Sequence, residues 1–358
     1  MKICVFGTRG FPDIQGGVEK HGERLYPRFP ADCEFVVYRR RSYVRASAAT
    51  FPRIRFVDLP STRIKGFEAA FHSFLAAVAC LFERPDLVHV HNIGPACFAP
   101  LLRLFGLPVV LTYHSPNYEH AKWGPLARAL LRLSEKIALR AANAVVFVNE
   151  FQMRKFPEDV RRKSTYVPNG VDPVPSGAGT GELARFGLEP GRFLLAVGRL
   201  TPEKGFDVLI DAFRQAAPAD CPLVVAGGSD HEDACARALR ERAGAAPVVF
   251  AGPLVGEPLR QLFAHARLFV LPSRNEGFPL VLLEAMAAGR DVLVRDLPAT
   301  RLVQLPPEDY FAADADLAPA LRRKLAAPPP ARTYDLAAFD WDRIAAQTRA
   351  AYARALGR

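Results

Sequence analysis

Short runs of consecutive apolar residues alternate with longer stretches whose apolar positions recur every three or four residues, from residue 2 nearly to residue 356. Unbroken apolar runs suit strands buried on both faces, and the longer period suits helices that cross over between parallel strands. The pattern predicts strands at 2–6, 34–38, 54–58, 87–91, 109–113, 144–148 and 165–167, with helices near 18–29, 67–82, 96–104 and 125–142. A Pro, Gly and Ser-rich stretch, 172–182 (DPVPSGAGTGE), breaks the alternation. It restarts with strands near 192–197, 223–226, 248–250, 268–271 and 292–294, and helices near 206–216, 233–244, 257–265 and 280–288. A last helix, 341–356, follows the prolines at 328–330. The expected architecture is α/β throughout: two doubly wound, Rossmann-like domains at 1–175 and 176–340, with 341–358 packing back on the first.

Composition narrows the class. The chain of 358 residues is half apolar and 23% charged, enough apolar mass for two cores, which excludes disorder, collagen and coiled coil. No run approaches the ~20 apolar residues of a membrane-spanning helix, and the first apolar run stops at Gly7, too soon for a signal peptide, so a cytoplasmic location is expected. Six scattered cysteines without a C-x-x-C pair favour neither a zinc finger nor a disulfide framework. The net charge of +10 lies on one side: residues 1–175 carry 25 Lys and Arg against 15 Asp and Glu, and residues 176–358 carry 22 against 22. Such a field suits nucleic acid, an anionic membrane or a phosphorylated substrate.

Open α/β sheets bind ligands beyond the carboxyl ends of their strands, so the chemistry is sought in those loops. After the first strand, GTRGFPDIQGGVE (7–19) lacks G-x-G-x-x-G spacing, yet Gly16 and Gly17 open a helix whose N–H groups suit an anion. In the second half, AVGRLTPEKGF places Arg199 just past a strand and Lys204 just before a helix, two cations in one loop as a diphosphate requires. The stretch 267–289 (RLFVLPSRNEGFPLVLLEAMAAG) sets Glu276 and Glu284 about a helix start. Eight residues span about 12 Å if helical, beyond the ~5–9.5 Å of a glycosidase carboxylate pair, so they read as hydroxyl acceptors. Gly277 would admit a ligand close to the backbone, and N–H groups after Phe278 would face its phosphates.

Taken together, GGVE, GRLTPEKG, VPNGVD and the E-x7-E segment resemble the retaining family-4 glycosyltransferases of GT-B fold, over nearly the whole chain. Within that family, GTRGFPDIQGGVE and LTYHSPNYEHAKWG (111–124) are most similar to bacterial enzymes of O-antigen, capsule and exopolysaccharide assembly. The resemblance implies two domains facing a cleft, a nucleotide-sugar donor on the second and an acceptor on the first. It further implies that Arg199 and Lys204 hold the diphosphate and Glu284 the ribose hydroxyls. Glu276, with the backbone at Gly277, Phe278 and Pro279, would hold the donor sugar, His114 would lie near the anomeric centre, Gly16 and Gly17 at the phosphate or acceptor side, and Asn169 and Gly170 at the cleft edge. His114 and Glu276 are the expected catalytic pair; no metal and no other cofactor is expected.

Two metal-like patterns are set aside. His89 and His91, two apart on a strand, point to one face and could be joined by His114, but no acidic or thiol ligand accompanies them at a recognisable spacing. Asp314 and Asp316 mimic a D-x-D motif in a position better suited to a helix cap. The sequence departs from the family at Arg290-Asp291, Arg295-Asp296 and Arg301-Leu302, expected beside the donor pocket. The basic segment 38–45 (YRRRSYVR), Arg63, Lys65 and the Arg161-Arg162-Lys163 cluster are expected to face an anionic membrane carrying a lipid-linked glycan acceptor. The apolar stretch 67–82 reads as an ordinary crossover helix. Alternatives are a sugar-nucleotide epimerase or glycogen-synthase-like enzyme on the same fold, and a basic nucleic-acid-binding protein, which would lack any recognisable binding module.

Overall fold

The computed structural model describes every residue except 15, 45–49, 63–66, 120–122, 175–176, 217–219 and 229–233. The chain forms two compact units, Met1–Gly170 with Ala338–Arg358, and Val171–Ala337.

The first unit is built on a seven-stranded sheet in the order β3-β2-β1-β4-β5-β6-β7. Its strands are β1 (Lys2–Phe6), β2 (Glu34–Arg40), β3 (Ile54–Leu59), β4 (Leu87–His91), β5 (Val109–Tyr113), β6 (Ala144–Phe147) and β7 (Ser164–Tyr166). Neighbours run parallel, with Ile3 opposite Phe35 on one side and Leu87 on the other. Because successive strand residues point to opposite faces, the apolar runs divide between two cores. Cys4, Phe6, Val88, Val90 and Leu111 meet Ala76, Ala77 and Cys80 of the Glu68–Glu83 helix and Ala138 of the Pro125–Ala141 helix. Ile3, Val5, Leu87 and Val110 share the other core with Leu25 and Tyr26, and with Trp341, Ile344 and Tyr352 of the Trp341–Ala355 helix. The latter helix is started by Asp340, whose Oδ1 accepts the N–H groups of Asp342 and Arg343, both at 3.0 Å. The parity that puts Leu87 on the second face puts His89 and His91 there too, and Val110 brings Thr112 with it.

The second unit has a six-stranded sheet, β10-β9-β8-β11-β12-β13. Its strands are β8 (Leu194–Val197), β9 (Leu223–Ala226), β10 (Val248–Gly252), β11 (Leu268–Leu271), β12 (Asp291–Arg295) and β13 (Tyr310–Phe311), again all parallel. One core gathers Leu194, Ala196, Val225 and Val270 against Phe206, Leu209 and Phe213 of the Phe206–Ala216 helix and Leu317 and Leu321 of the Asp314–Leu325 helix. The predicted helix at 96–104 is a 3-10 turn, Pro95–Phe98, running into a short helix, Ala99–Leu104, whose second residue is proline. The two-residue β13 and the short helices Glu150–Met153, Glu158–Arg161 and Gly181–Arg185 carry too little periodicity to be foreseen.

All six cysteines are free and buried or half-buried. Among the described residues, no helix is long and apolar enough to cross a membrane.

Candidate active site

In the first unit the chain leaves β1 through Gly7, whose φ of +101° and approach to β4 exclude a side chain: a Cβ there would lie 2.1 Å from the His91 carbonyl oxygen. At the loop's far end Gly16 (φ +152°) precedes the Gly17–Leu25 helix, and a Cβ would fall 2.0 Å from Glu19 Oε2. Glu19 folds back over that helix start, its Oε1 accepting the Arg9 N–H at 3.0 Å. The helix therefore begins beside a carboxylate of its own. One turn on, His21 Nδ1 meets Asn169 Oδ1 at 2.6 Å. Asn169 and Gly170 are buried, and Gly170 lies flat under Trp341, with 2.5 Å from the position of a Cβ to the indole.

His114 follows β5 and its Nε2 lies 2.9 Å from Nδ1 of His91; the two rings stack 5.2 Å apart. His91 Nε2 reaches the Tyr26 hydroxyl at 2.5 Å, and that hydroxyl also lies 3.0 Å from His89 Nδ1. Burial opposes a charged imidazole. It pushes His21 down to about 4 and His89 to about 3, and holds His91 and His114 well below the usual histidine value, with neighbouring imidazoles adding to the effect in all but His21. All four are neutral at pH 7. His21, His91 and His114 each bring a nitrogen within 4.8 Å of the others. Both nitrogens of His91 are already hydrogen-bonded, so a metal there would have to displace one of those bonds.

In the second unit the loop after β8 carries Arg199, then a single 3-10 turn, Pro202–Lys204, closed by Gly205 (φ +67°). A Cβ on Gly205 would sit 2.3 Å from the Pro272 carbonyl oxygen, so this glycine lets the loops after β8 and β11 meet. Arg274 ties the same loops together: it takes both carboxylate oxygens of Asp207 at 2.8 Å, donates to the Pro202 carbonyl at 2.8 Å, and gives its own N–H to the Glu203 carbonyl. On that frame Lys204 Nζ pairs with Glu276 Oε1 at 2.6 Å. The two residues read separately from the sequence, one for phosphate and one for sugar, are thus joined. Arg199 is half-buried on the same loop, and Glu284 is half-buried on the second turn of the Leu280–Ala287 helix. Phe278 and Pro279 are buried ahead of that helix, with Gly277 half-buried before them. Two backbone donors beyond Phe278 are taken inside the turn, Leu280 N–H by the Phe278 carbonyl and Leu282 N–H by that of Pro279, both at 3.0 Å. Among the described residues, the buried hydroxyls of Thr201 and Ser273 have no hydrogen-bond partner.

Several expectations need correction. Arg290 and Asp291 stand at the amino end of β12, the opposite end of the sheet from Arg199 and Glu276, which follow the carboxyl ends of β8 and β11. There Asp291 joins Asp309, Lys324 and Arg332 in a buried ionic cluster, with Lys324 at 2.8 Å from Asp291 and Arg332 at 2.9 Å from both aspartates. Arg295 does lie at the carboxyl end, pairing with Asp314 at 2.5 Å and with the Pro272 carbonyl at 3.1 Å. The D-x-D pattern does sit at a helix start as expected: Asp316 accepts the Ala313 N–H at 2.8 Å, and Asp314 holds the Arg295 ion pair. Of the basic residues expected at a membrane, Arg39 pairs with Asp58 and Arg40 is buried beside Glu68, whereas Arg41, Arg161 and Arg162 are exposed, the last two sharing Glu158, and Lys163 donates to the carbonyls of Arg140 and Ala142. Arg45, Arg63 and Lys65 lie outside the described residues.

A family model described as Glycosyltransferase Family 4 matches residues 15–174, and one described as Glycosyl transferases group 1 matches residues 191–327. The alpha-D-kanosaminyltransferase of Streptomyces kanamyceticus is 31% identical over 70% of this chain and 74% of its own. The chain belongs to the family-4 glycosyltransferases. The alpha-maltose-1-phosphate synthase of Mycolicibacterium smegmatis is 27% identical to this glycosyltransferase over 98% of the chain and 99% of the relative. In fold it matches the sucrose-phosphate synthase of Thermosynechococcus elongatus, with a TM-score of 0.80 at 24% identity and 99% coverage of both chains. The Anabaena HepE structure with UDP-glucose matches at 0.70 and 15% identity, covering 99% and 97%. Both units of the glycosyltransferase are therefore the Rossmann-like halves of a GT-B enzyme.

Sequence reasoning passed over His21, Tyr26, Tyr352, Asp207 and Arg274. His21 has no local signal, since its partner Asn169 is 148 positions away. Arg274 lay inside the quoted 267–289 stretch, but its carboxylate partner is 67 positions back.

Proposed function

We propose that this glycosyltransferase moves a sugar, with retention of anomeric configuration, from a UDP- or GDP-sugar on its second unit to a lipid-linked glycan on its first, without a metal, in bacterial surface polysaccharide synthesis. The observation that carries the donor site is the Lys204–Glu276 pair at 2.6 Å on loops locked by Arg274. Breaking the sugar–phosphate bond leaves negative charge on the diphosphate and positive charge on the ring. Lys204, with three donors, can hold Glu276 and a phosphate oxygen together, and Arg199 adds a fork for the same charge. Glu276, so anchored, presents a carboxylate to sugar hydroxyls, Glu284 serves the ribose, and the unpartnered Thr201 and Ser273 hydroxyls suit a polyhydroxylated ligand. His114, neutral by burial, serves the sugar near its anomeric carbon. The departing phosphate is the base for the incoming hydroxyl on the same face, so no enzyme nucleophile is required.

The membrane-borne acceptor is supported by a different face from the one the sequence suggested. Phe82, Leu104, Phe105, Leu126, Leu130 and Leu133 are exposed on neighbouring helices of the first unit, among exposed Arg103, Arg132 and Lys136. Apolar side chains interleaved with cations suit an anionic bilayer at the inner face of the cytoplasmic membrane better than nucleic acid.

A thermal-shift panel of UDP-, GDP- and ADP-sugars, with and without EDTA, tests the donor site; a rise with one donor, unchanged by EDTA and lost in K204A and E284A, is expected. No response in the native chain, or equal responses in both variants, would remove it. Flotation with anionic vesicles, compared with L104E/F105E, tests the surface; equal flotation of the two would assign membrane contact elsewhere.

A further inference from the structure

We propose that His21, His91 and His114 form an inhibitory zinc site at the strand ends of the first unit. His21 comes from the Gly17–Leu25 helix, His91 from the end of β4 and His114 from just past β5, and a nitrogen of each lies within 4.8 Å of one on each of the others. Parallel sheets take their ligands beyond these carboxyl ends. Three imidazoles are enough to hold zinc, with a fourth position left for water or an anion.

His21 supplies the decisive observation. Its Nδ1 faces Asn169 Oδ1 at 2.6 Å, and an amide oxygen only accepts, so Nδ1 carries the proton and Nε2 is a lone pair. That nitrogen is buried and has no hydrogen-bond partner among the described residues. Buried polar atoms are ordinarily satisfied. A lone pair on a ring that stands edge-on to two further imidazoles is one a metal satisfies. The Asn169 bond is also what a zinc-binding histidine requires, since it fixes the tautomer and the ring. His91 is held in the same way, with the Tyr26 hydroxyl 2.5 Å from Nε2, which leaves Nδ1 facing His114 Nε2 at 2.9 Å. His89 stands outside the set because its nitrogens are taken, Nδ1 by Tyr352 Oη at 2.7 Å and Nε2 by Thr112 Oγ1 at 2.6 Å.

Zinc–nitrogen bonds of about 2.0–2.1 Å set tetrahedral ligand nitrogens about 3.3 Å apart. His91 and His114 are already inside that spacing, and a metal between them replaces the one hydrogen bond they share. His21 has to close by at most about 1.5 Å. His114 is the most exposed of the three, at 7%, so the metal enters on its side. An all-imidazole donor set suits zinc, copper, nickel and cobalt, and not magnesium or calcium. The metal is an inhibitor and not a cofactor. Resting on the reading of His114 as a group near the anomeric carbon, zinc acts by withdrawing that side chain from the sugar, and it leaves the donor loops of the second unit untouched.

The test uses the full chain stripped with EDTA and titrated with Co2+, which absorbs strongly in the visible only when four-coordinate. W123F leaves Trp341, whose ring lies 5.7 Å from that of His21, as the sole tryptophan and a reporter of the bound ion. An equimolar addition should give the visible band and quench Trp341, and Zn2+ should abolish the band. H21Q and H114Q should each lose it, N169A should weaken zinc binding about 10–100-fold, and H265Q, in the second unit, should change nothing. Should H21Q fail to fold, H114Q and N169A carry the same comparison. No band in the native chain, or a band retained in H114Q, would overturn the site. With the donor chosen by the thermal-shift panel, nucleotide release should fall with equimolar Zn2+ and return with EDTA, while the donor's thermal shift stays the same. A band with unaltered nucleotide release would keep the site and overturn both the inhibition and the role given to His114.

Discussion

Counted from the first strand of each, both units order their strands 3-2-1-4-5-6, the first adding a seventh beyond the sixth, and both gather polar residues where strands end. The two gatherings are different in kind. In the first unit they are four imidazoles, neutral, interior and linked by hydrogen bonds to tyrosines and an asparagine. In the second they are ion pairs, Lys204 with Glu276 and Arg274 with Asp207, held on half-buried loops. One scaffold thus supports a site whose geometry comes from directed neutral bonds and another whose geometry comes from charge. The first should respond to acid, because its folded imidazoles stay neutral at a pH where unfolded histidines take protons, and the second to loss of a charge partner.

Acid is expected to separate the two most strongly. Folded His21 and His89 take protons only near pH 4 and 3, whereas unfolded histidines do so near 6.5. Between those values the unfolded chain binds more protons, so stability of the first unit falls as pH falls from about 6.5 toward 4, by several kcal/mol in all at about 1.4 per pKa unit. Both tryptophans, Trp123 and Trp341, belong to the first unit, so urea titrations followed by tryptophan fluorescence report it alone. A fluorescence midpoint that does not move between pH 7 and 5 would break the contrast. The converse change is K324M, which leaves Asp291 and Asp309 short of a partner in the buried cluster. Removing one partner from such a cluster costs about 3–5 kcal/mol. It should appear in the circular-dichroism transition of the second unit and leave the tryptophan transition in place.

Two further changes sharpen the comparison. K204A should reduce kcat/KM about 10²–10³-fold, as loss of a donor to developing negative charge does, with both unfolding transitions nearly unchanged. G170A drives a methyl into the Trp341 indole and should cost the first unit about 1–3 kcal/mol, read by the same fluorescence titration. A shift confined to circular dichroism would contradict the placement of Trp341.

The fold was legible where local pattern suffices. β1 and β4 are unbroken apolar or histidine-bearing runs, and their bounds match the expectation because a strand buried on both faces has no polar interruption to blur it. Site residues were legible one at a time: Lys204, Glu276 and His114 each stood out by type and position. Their partnerships were not. Lys204 meets Glu276 across 72 positions, and His91 meets His114 across 23, through register that only the assembled sheet sets. The charged departures misled for the same reason. Arg290-Asp291 and Arg295-Asp296 are five residues apart in sequence but occupy opposite ends of β12, and only the second pair stands on the side of the donor loops.

The return of residues 338–358 to the first unit also carries a consequence for synthesis. A ribosome releases the whole of Val171–Ala337 before it releases Trp341 and Tyr352, which fill the first unit's second core. The body begun first is finished last, and while translation lasts its histidine face is open. A nascent chain stalled before residue 338 should therefore hold a protease-resistant second unit beside a first unit that is still cleavable.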